Sequence, residues 1–407
     1  MNFKRKLWWA QHRTDVYKYG TVLSLVLIVT ISIIYFTYSK FTSKNEMTAY
    51  ETTVEPSIKN NDFIASYIDG EWSNEIPGKN DGYVVDKIVC DNGATGTWDN
   101  DEWGINIRNA TKKIKCSVFF KQTTIILGKV IEDESQIATD DADNNIRYIG
   151  ADPNNYVYFN CSDYSNQSDS TCEKWRIIGV FKNMTKEDGS QADLVKIIRD
   201  DSLGNIAWAS NSVNDWSKAS LQTTLNGEYY NGTYTTGALK NDSTRNAIES
   251  VVWNLGGTAD WSSASNGLAS HWYGYERGTT VYSGRPTTWT GKIALMYPSD
   301  YGYATAGGTT TNRESCLAKE LYNWDGSGVS DCKNNDYLFK SAYIQWTLAP
   351  SSSLSNVAFY VGTEGYVYGD RVGNTRGVRP AAYLKSSISL SSVGDGSSTS
   401  PYQLKVG

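Results

Sequence analysis

Few residue types in this chain are equipped for chemistry. Two histidines, His12 and His271, stand among 407 residues, and only His271 lies beyond position 44. Any Ser-His-Asp arrangement there would need it, yet no Gly-x-Ser-x-Gly elbow occurs to present a nucleophilic serine. His271 falls in the run Ser270, His271, Trp272, Tyr273, Gly274, Tyr275, which predicts an aromatic loop or packed cluster. Glycoside hydrolysis needs only two facing carboxylates, and the 43 acidic residues beyond position 44 single out no pair. Two acidic runs offer oxygens of the kind calcium takes: Asp91 with Asp99, Asn100, Asp101 and Glu102, and Asp140, Asp141, Asp143, Asn144 and Asn145. Neither has EF-hand spacing closed by a twelfth-position Glu, so both predict solvated turns. No cofactor and no metal site is expected.

Binding chemistry is better represented. Residues 358–371 alternate apolar and polar side chains around glycines, as an exposed hairpin does. Tyr360, Glu364, Tyr366, Tyr368, Asp370 and Arg371 lie within it. Tyrosine and arginine anchor interfaces with little loss of side-chain freedom, while cross-strand packing is the plainer role for any one of these rings. The six cysteines, Cys90, Cys116, Cys161, Cys172, Cys316 and Cys332, form an even set without CxxC spacing, which reads as disulfides in an oxidising compartment. Fifteen connectivities are open. Nearest-neighbour closure is the simplest, because each such pair brackets a turn-rich segment.

The elements that position these residues follow from hydrophobic pattern. Strands are predicted at 155–159, 175–181, 194–199, 292–297, 343–348, 358–361 and 379–384, with a last one near Tyr402 to Leu404. Three helices are predicted. Ser217 caps one carrying Leu221 and Leu225 and ending near Gly227. Ser243 caps another with Ala247, Ile248, Val251, Val252 and Leu255 on one stripe. A third runs from Ser315 to Tyr322. Few helices among many short strands give an α+β class with an antiparallel sheet.

Charge divides the chain. Residues 1–44 hold seven basic residues against one acidic, a net of +6, and the remainder carries −12 of the overall −6. That acidic remainder excludes a nucleic-acid binder, which needs a basic stripe. Residues 19–39 are uncharged and, as a helix of roughly 31 Å, match a bilayer's hydrocarbon core. The basic residues before them place the N-terminus in the cytoplasm and the rest outside. The expected order is a basic tail at 1–18, a transmembrane anchor at 19–39 in contact with the lipid bilayer, a polar stalk at 40–80, a small β module at 81–121 and a larger domain at 122–407.

Several strings carry a resemblance: "EKWRIIGVF" at 173–181, "NDWSKASLQTTLNGEYY" at 214–230, "YERGTT" at 275–280, "WTGKIALMYPSDYGYA" at 289–304, "QWTLAP" at 345–350 and "GVRPAAYLKS" at 377–386. In this order they resemble a group of uncharacterised Firmicutes-type surface proteins with a C-terminal bacterial C-type-lectin-like domain. The segment 88–120 is similar to the small disulfide-stapled β module that precedes that domain. The resemblance implies that Trp346, Gly377, Arg379 and Pro380 belong to the structural frame, and that 351–375 is an exposed ligand-facing region. The calcium-dependent sugar motifs are not in register: Asp152-Pro153-Asn154 lies too early, and Asn214-Asp215-Trp216 has the order reversed. The glutamate of a prepilin leader is also missing after Gly20. The expectation is a membrane-anchored, non-catalytic cell-surface protein binding an extracellular protein or glycan. A structural envelope or pilus-like subunit and a glycan hydrolase are the alternatives.

Overall fold

The computed structural model describes residues 64–68, 70–73, 75–78, 83–99, 102–110, 112–122, 124–132, 136–260, 267–391 and 393–406. The expected tail, anchor and first part of the stalk lie outside the described residues. Among those described, no helix is long and apolar enough to cross a membrane. The chain divides into two compact units, one reaching to residue 121 and one built mainly from residues 122–407.

The smaller unit contains a four-stranded sheet in the order Glu71–Ser73, Ile64–Ile68, Cys116–Gln122, Tyr83–Cys90, with a separate hairpin of Thr95–Asp99 and Gly104–Arg108. Ile64–Ile68 runs parallel to Cys116–Gln122. These first two strands correct the expectation of a stalk to residue 80. Ile64, Ala65 and Tyr67 form a short apolar run, and Tyr67 stacks on Phe119 with ring centroids 4.6 Å apart. Trp98 meets both Trp103 and Phe120 edge-on, at 5.4 and 5.3 Å, and the Cys90–Cys116 bridge joins the sheet beside them. Of the acidic run, Asp91 lies in an exposed turn and accepts the Lys115 N–H at 2.7 Å, Asp99 ends the strand Thr95–Asp99, and residues 100 and 101 lie outside the described residues.

The larger unit is mostly sheet. Its main sheet orders Ile248–Glu249, Ala381–Leu384, Gln191–Arg199, Glu173–Thr185, Ile146–Tyr148 and Ile137–Ala138, with Tyr156–Phe159 and Ile293–Ala294 attached beside this path. The two central strands read as nearly unbroken apolar runs, because both of their faces are covered. A five-stranded sheet follows the order Asn205–Ala207, Thr375–Gly377, Gln345–Pro350, Val357–Val361, Val367–Arg371. Seven tryptophans, including Trp175, Trp253, Trp272 and Trp346, are fully buried in the common core. Two further disulfides, Cys161–Cys172 and Cys316–Cys332, complete the nearest-neighbour set.

The helices are shorter than their sequence pattern suggests. Asp215, not Ser217, caps the first: its carboxylate accepts the Ser217 N–H, and the chain runs on through a π-helical turn to Tyr229. Asn241, not Ser243, caps Asp242–Ala247. The expected continuation through Ile248, Val251 and Val252 is strand instead. β-branched residues at that spacing satisfy either period, and pairing of Ile248 with Leu384 and of Trp253 with Trp289 decides for strand. The third helix, expected from Ser315 to Tyr322, is Arg313–Leu317 capped by Asn312, with Leu321–Asn323 a separate turn.

Gly179 sits at a shift of register between the central strands, where the chain of Ile146–Tyr148 closes on it. A Cβ there would lie 2.0 Å from the Ile146 carbonyl oxygen and 2.9 Å from Arg147 Cα. Backbone cannot retreat as a flexible side chain would. Gly179→Ala is therefore expected to destabilise the larger unit by about 2–4 kcal/mol, read as a lower denaturant midpoint at unchanged slope. A neutral result would show that the strand contact relaxes freely.

Candidate functional site

The expected hairpin forms, from Val357–Val361 and Val367–Arg371, with Tyr360 opposite Tyr368 and Val361 opposite Val367. The second strand ends the five-stranded sheet. The turn is closed by a Gly362 N–H to Tyr366 O bond of 2.8 Å, with Gly365 at φ +91°. Tyr301 donates its hydroxyl to Gly365 O at 2.7 Å and so ties the turn to the helix Pro298–Tyr303. The rings of Tyr360, Tyr366 and Tyr368 meet edge-on, at centroid separations of 6.1 to 6.4 Å. Their surroundings differ. Tyr360 is 8% exposed and Tyr368 40% exposed, with Tyr366 between them. Burial also pushes the Tyr360 phenol above its usual range, which keeps it protonated.

The polar members of the predicted set divide. Asp370 is occupied: Arg376 Nη2 reaches it at 2.6 Å and Asn374 donates at 2.7 Å. Glu364 is exposed, with Lys333 Nζ 3.9 Å from its carboxylate and bonded to its carbonyl at 2.6 Å. Arg371 is exposed. Tyr322, on the turn Leu321–Asn323, brings its ring 5.7 Å from Tyr368 and widens the aromatic face. Sequence reading missed it, since it arrives from a different element. The frame residues are interior. Trp346 Nε1 donates to Ile206 O at 3.0 Å, and Arg379 Nε to Arg199 O at 2.8 Å. The Pro380 carbonyl accepts the Arg199 N–H at 2.9 Å, and a Cβ on Gly377 would lie 2.5 Å from the Tyr343 ring. The expectation that all of 351–375 is exposed needs correction, because Ser351 and the whole strand Val357–Val361 are buried. Exposure is confined to Ser353 and Leu354 in the loop before that strand, the turn, the edge strand and the segment after it.

A second constellation lies in the core. Arg147 Nε bonds Asp141 at 2.7 Å and its Nη1 bonds Asp300 at 2.9 Å, while Lys196 Nζ reaches Asp300 at 2.5 Å. All four side chains are at most 2% exposed. The run 140–145 is thus no solvated turn throughout: Asp141 is buried on Arg147 and Asn145, Asp143 accepts from Tyr273 at 2.6 Å, and Asp140 pairs with Arg313 at 2.7 Å. Buried Glu276 accepts the Ser299 N–H at 2.9 Å and the Ser299 hydroxyl, and Arg277 stands 3.3 Å away. His271 belongs to the same helix, Ala269–Arg277, rather than to a loop; its Nδ1 accepts the Leu268 N–H at 3.4 Å.

Burial opposes the charge on Asp300, but Lys196 and Arg147 overcome it and hold the carboxyl down at about 2. Burial dominates for Lys196, which faces one anion and two further cations, and lowers it to about 8. Elsewhere an open pocket of about 330 Å³ is lined by Asp169, Glu173, Lys174, Arg199 and Asp200 among others. Its charges are largely paired, as in Arg199–Glu173 at 3.0 Å and Lys340–Asp200 at 2.8 Å.

The fold and its bridges define a disulfide-stapled α+β protein, mostly sheet with short helices, of the kind that folds in an oxidising, extracellular environment. No family model, curated protein or solved structure matches the chain.

Burial raises Glu276 from 4.5 to about 7. Between those values the folded state holds a proton that the unfolded chain has released, so stability falls as pH rises through that window. The contribution is complete below 4.5 and is lost by about 7, a swing of ~3 kcal/mol. Wild type is expected to lose this stability relative to Glu276→Gln when denaturation is measured at increasing pH, and parallel profiles would contradict the assignment. Arg147→Met, which leaves buried Asp141 without its cation and Asp300 with Lys196 alone, is expected to cost about 3–5 kcal/mol in the same measurement.

Proposed function

We propose that this chain is a membrane-anchored surface protein whose larger, C-type-lectin-like domain binds an extracellular protein or glycan without catalysing a reaction. The observation that carries the reading is the aromatic face formed by Tyr366 and Tyr368 of the terminal hairpin of the five-stranded sheet with Tyr322 from the turn Leu321–Asn323. Half-exposed tyrosines on a rigid support present area at little entropic cost, and phenol hydroxyls at the rim add directional bonds. Arg371 and Glu364 flank the rings on the same hairpin and supply charge of both signs. The disulfides support an extracellular setting, and the uncharged residues 19–39 after a basic tail support the anchor.

Binding of the protein to arrayed glycans and to extracellular proteins is the direct test. Replacing Tyr366, Tyr368 and Arg371 together by Ala is expected to weaken the strongest interaction at least about tenfold with stability nearly unchanged. Tyr360→Ala is expected to act differently, costing about 3 kcal/mol of stability because that ring is interior. Undiminished binding by the folded triple variant would remove the hairpin from the site. Filament formation by the full chain, with no partner bound, would favour a structural subunit instead.

A further inference from the structure

Among the described residues, Lys196 alone of the lysines is buried, and its setting is unusual for a structural ion pair. Its Nζ lies within 4.5 to 5.5 Å of the ring centroids of Tyr297, Phe181, Trp253 and Tyr383, so no bulk water solvates the charge. One carboxylate oxygen, Asp300 Oδ2, sits 2.5 Å from it. The other, Oδ1, accepts from Arg147 Nη1 at 2.9 Å, and the Tyr297 N–H donates to Oδ2 at 2.8 Å. An amine and a carboxyl held in contact, dry, with donors fixed on both carboxyl oxygens, are the reactants of amide formation at high effective concentration.

We propose that Lys196 and Asp300 condense after folding into an intramolecular amide that cross-links the central strand Gln191–Arg199 to the helix Pro298–Tyr303. A proton first passes from the Lys196 ammonium to Asp300 Oδ2 across their contact, leaving a neutral amine and a neutral acid. The exchange runs against the resting ionisation, in which Lys196 and Arg147 keep Asp300 charged, and desolvation among the rings lowers its cost by removing two charges from a medium that solvates them poorly. The Nζ lone pair then attacks Cγ, forming the C–N bond and placing negative charge on Oδ1, where Arg147 Nη1 already donates. A second proton moves from nitrogen to Oδ2, the C–Oδ2 bond breaks, and one water leaves. The amide keeps the third proton of the original ammonium, so atoms and charge balance and no oxidant or co-reactant is needed. Arg147 Nη2, buried and without an acceptor among the described residues, supplies a donor for the water as it departs.

The test is peptide mapping by mass spectrometry of the full chain, after reduction of its disulfides, with a protease that cuts after lysine. The expected result is resistance at Lys196 and a branched peptide joining the segments around 196 and 300. Its mass should be one water, about 18 Da, below the sum of its parts. Lys196→Met should abolish the branched species. Should that variant fail to fold, the wild-type digest still decides. Quantitative recovery of a linear peptide cut after Lys196, together with unmodified Asp300, would overturn the proposal.

Discussion

Asp300 is the point on which the larger unit closes. Its carboxylate receives Arg147 from the strand Ile146–Tyr148, Lys196 from Gln191–Arg199 and the backbone of Tyr297 at the start of its own helix. Charges this deep are tolerated only when each finds a partner, so these elements cannot shift independently. Asp141 extends the constraint to the turn before Arg147, and Glu276 extends it through Ser299 to the helix Ala269–Arg277. An apolar core of the same volume would be less costly to assemble. The ionic one specifies a single register, because sliding either strand by one residue would bury an unpaired charge.

The aromatic hairpin inherits its position from this centre. Tyr301 follows Asp300 directly and holds the hairpin turn through Gly365. The support is therefore one residue removed from the buried pair, while the exposed aromatic face is built of side chains that nothing in the core requires to be tyrosine. Interior and surface roles separate even within the hairpin: Tyr360 packs inward, and Tyr368, its cross-strand partner, faces solvent.

The hairpin was legible in the sequence because its code is local. Alternating side chains and three glycines within fourteen residues specify strand, turn and strand. The principal strands were legible for the same reason. The buried network was not, since Arg147 and Asp300 are 153 residues apart and Lys196 and Asp300 are 104 apart. A signal did exist: a lone lysine inside the run Leu194, Val195, Ile197, Ile198 has no solvent face to occupy. The stripe beginning at Ala247 misled because β-branched residues three and four apart suit a helix face as well as a strand, and only the waiting edge of Ala381–Leu384 resolves it. The acidic run at 140–145 misled because charge density was read as exposure, whereas the arginine that neutralises Asp141 stands six residues on.

The three bridges each join cysteines that are consecutive along the chain, at separations of 26, 11 and 16 residues. A polypeptide emerging amino end first into an oxidising space thus presents each pair complete before the next thiol arrives. At no stage must one thiol wait for a distant partner while others compete for it. Covalent closure can keep pace with emergence, and the long-range ionic centre then forms in a chain whose loops are already tied.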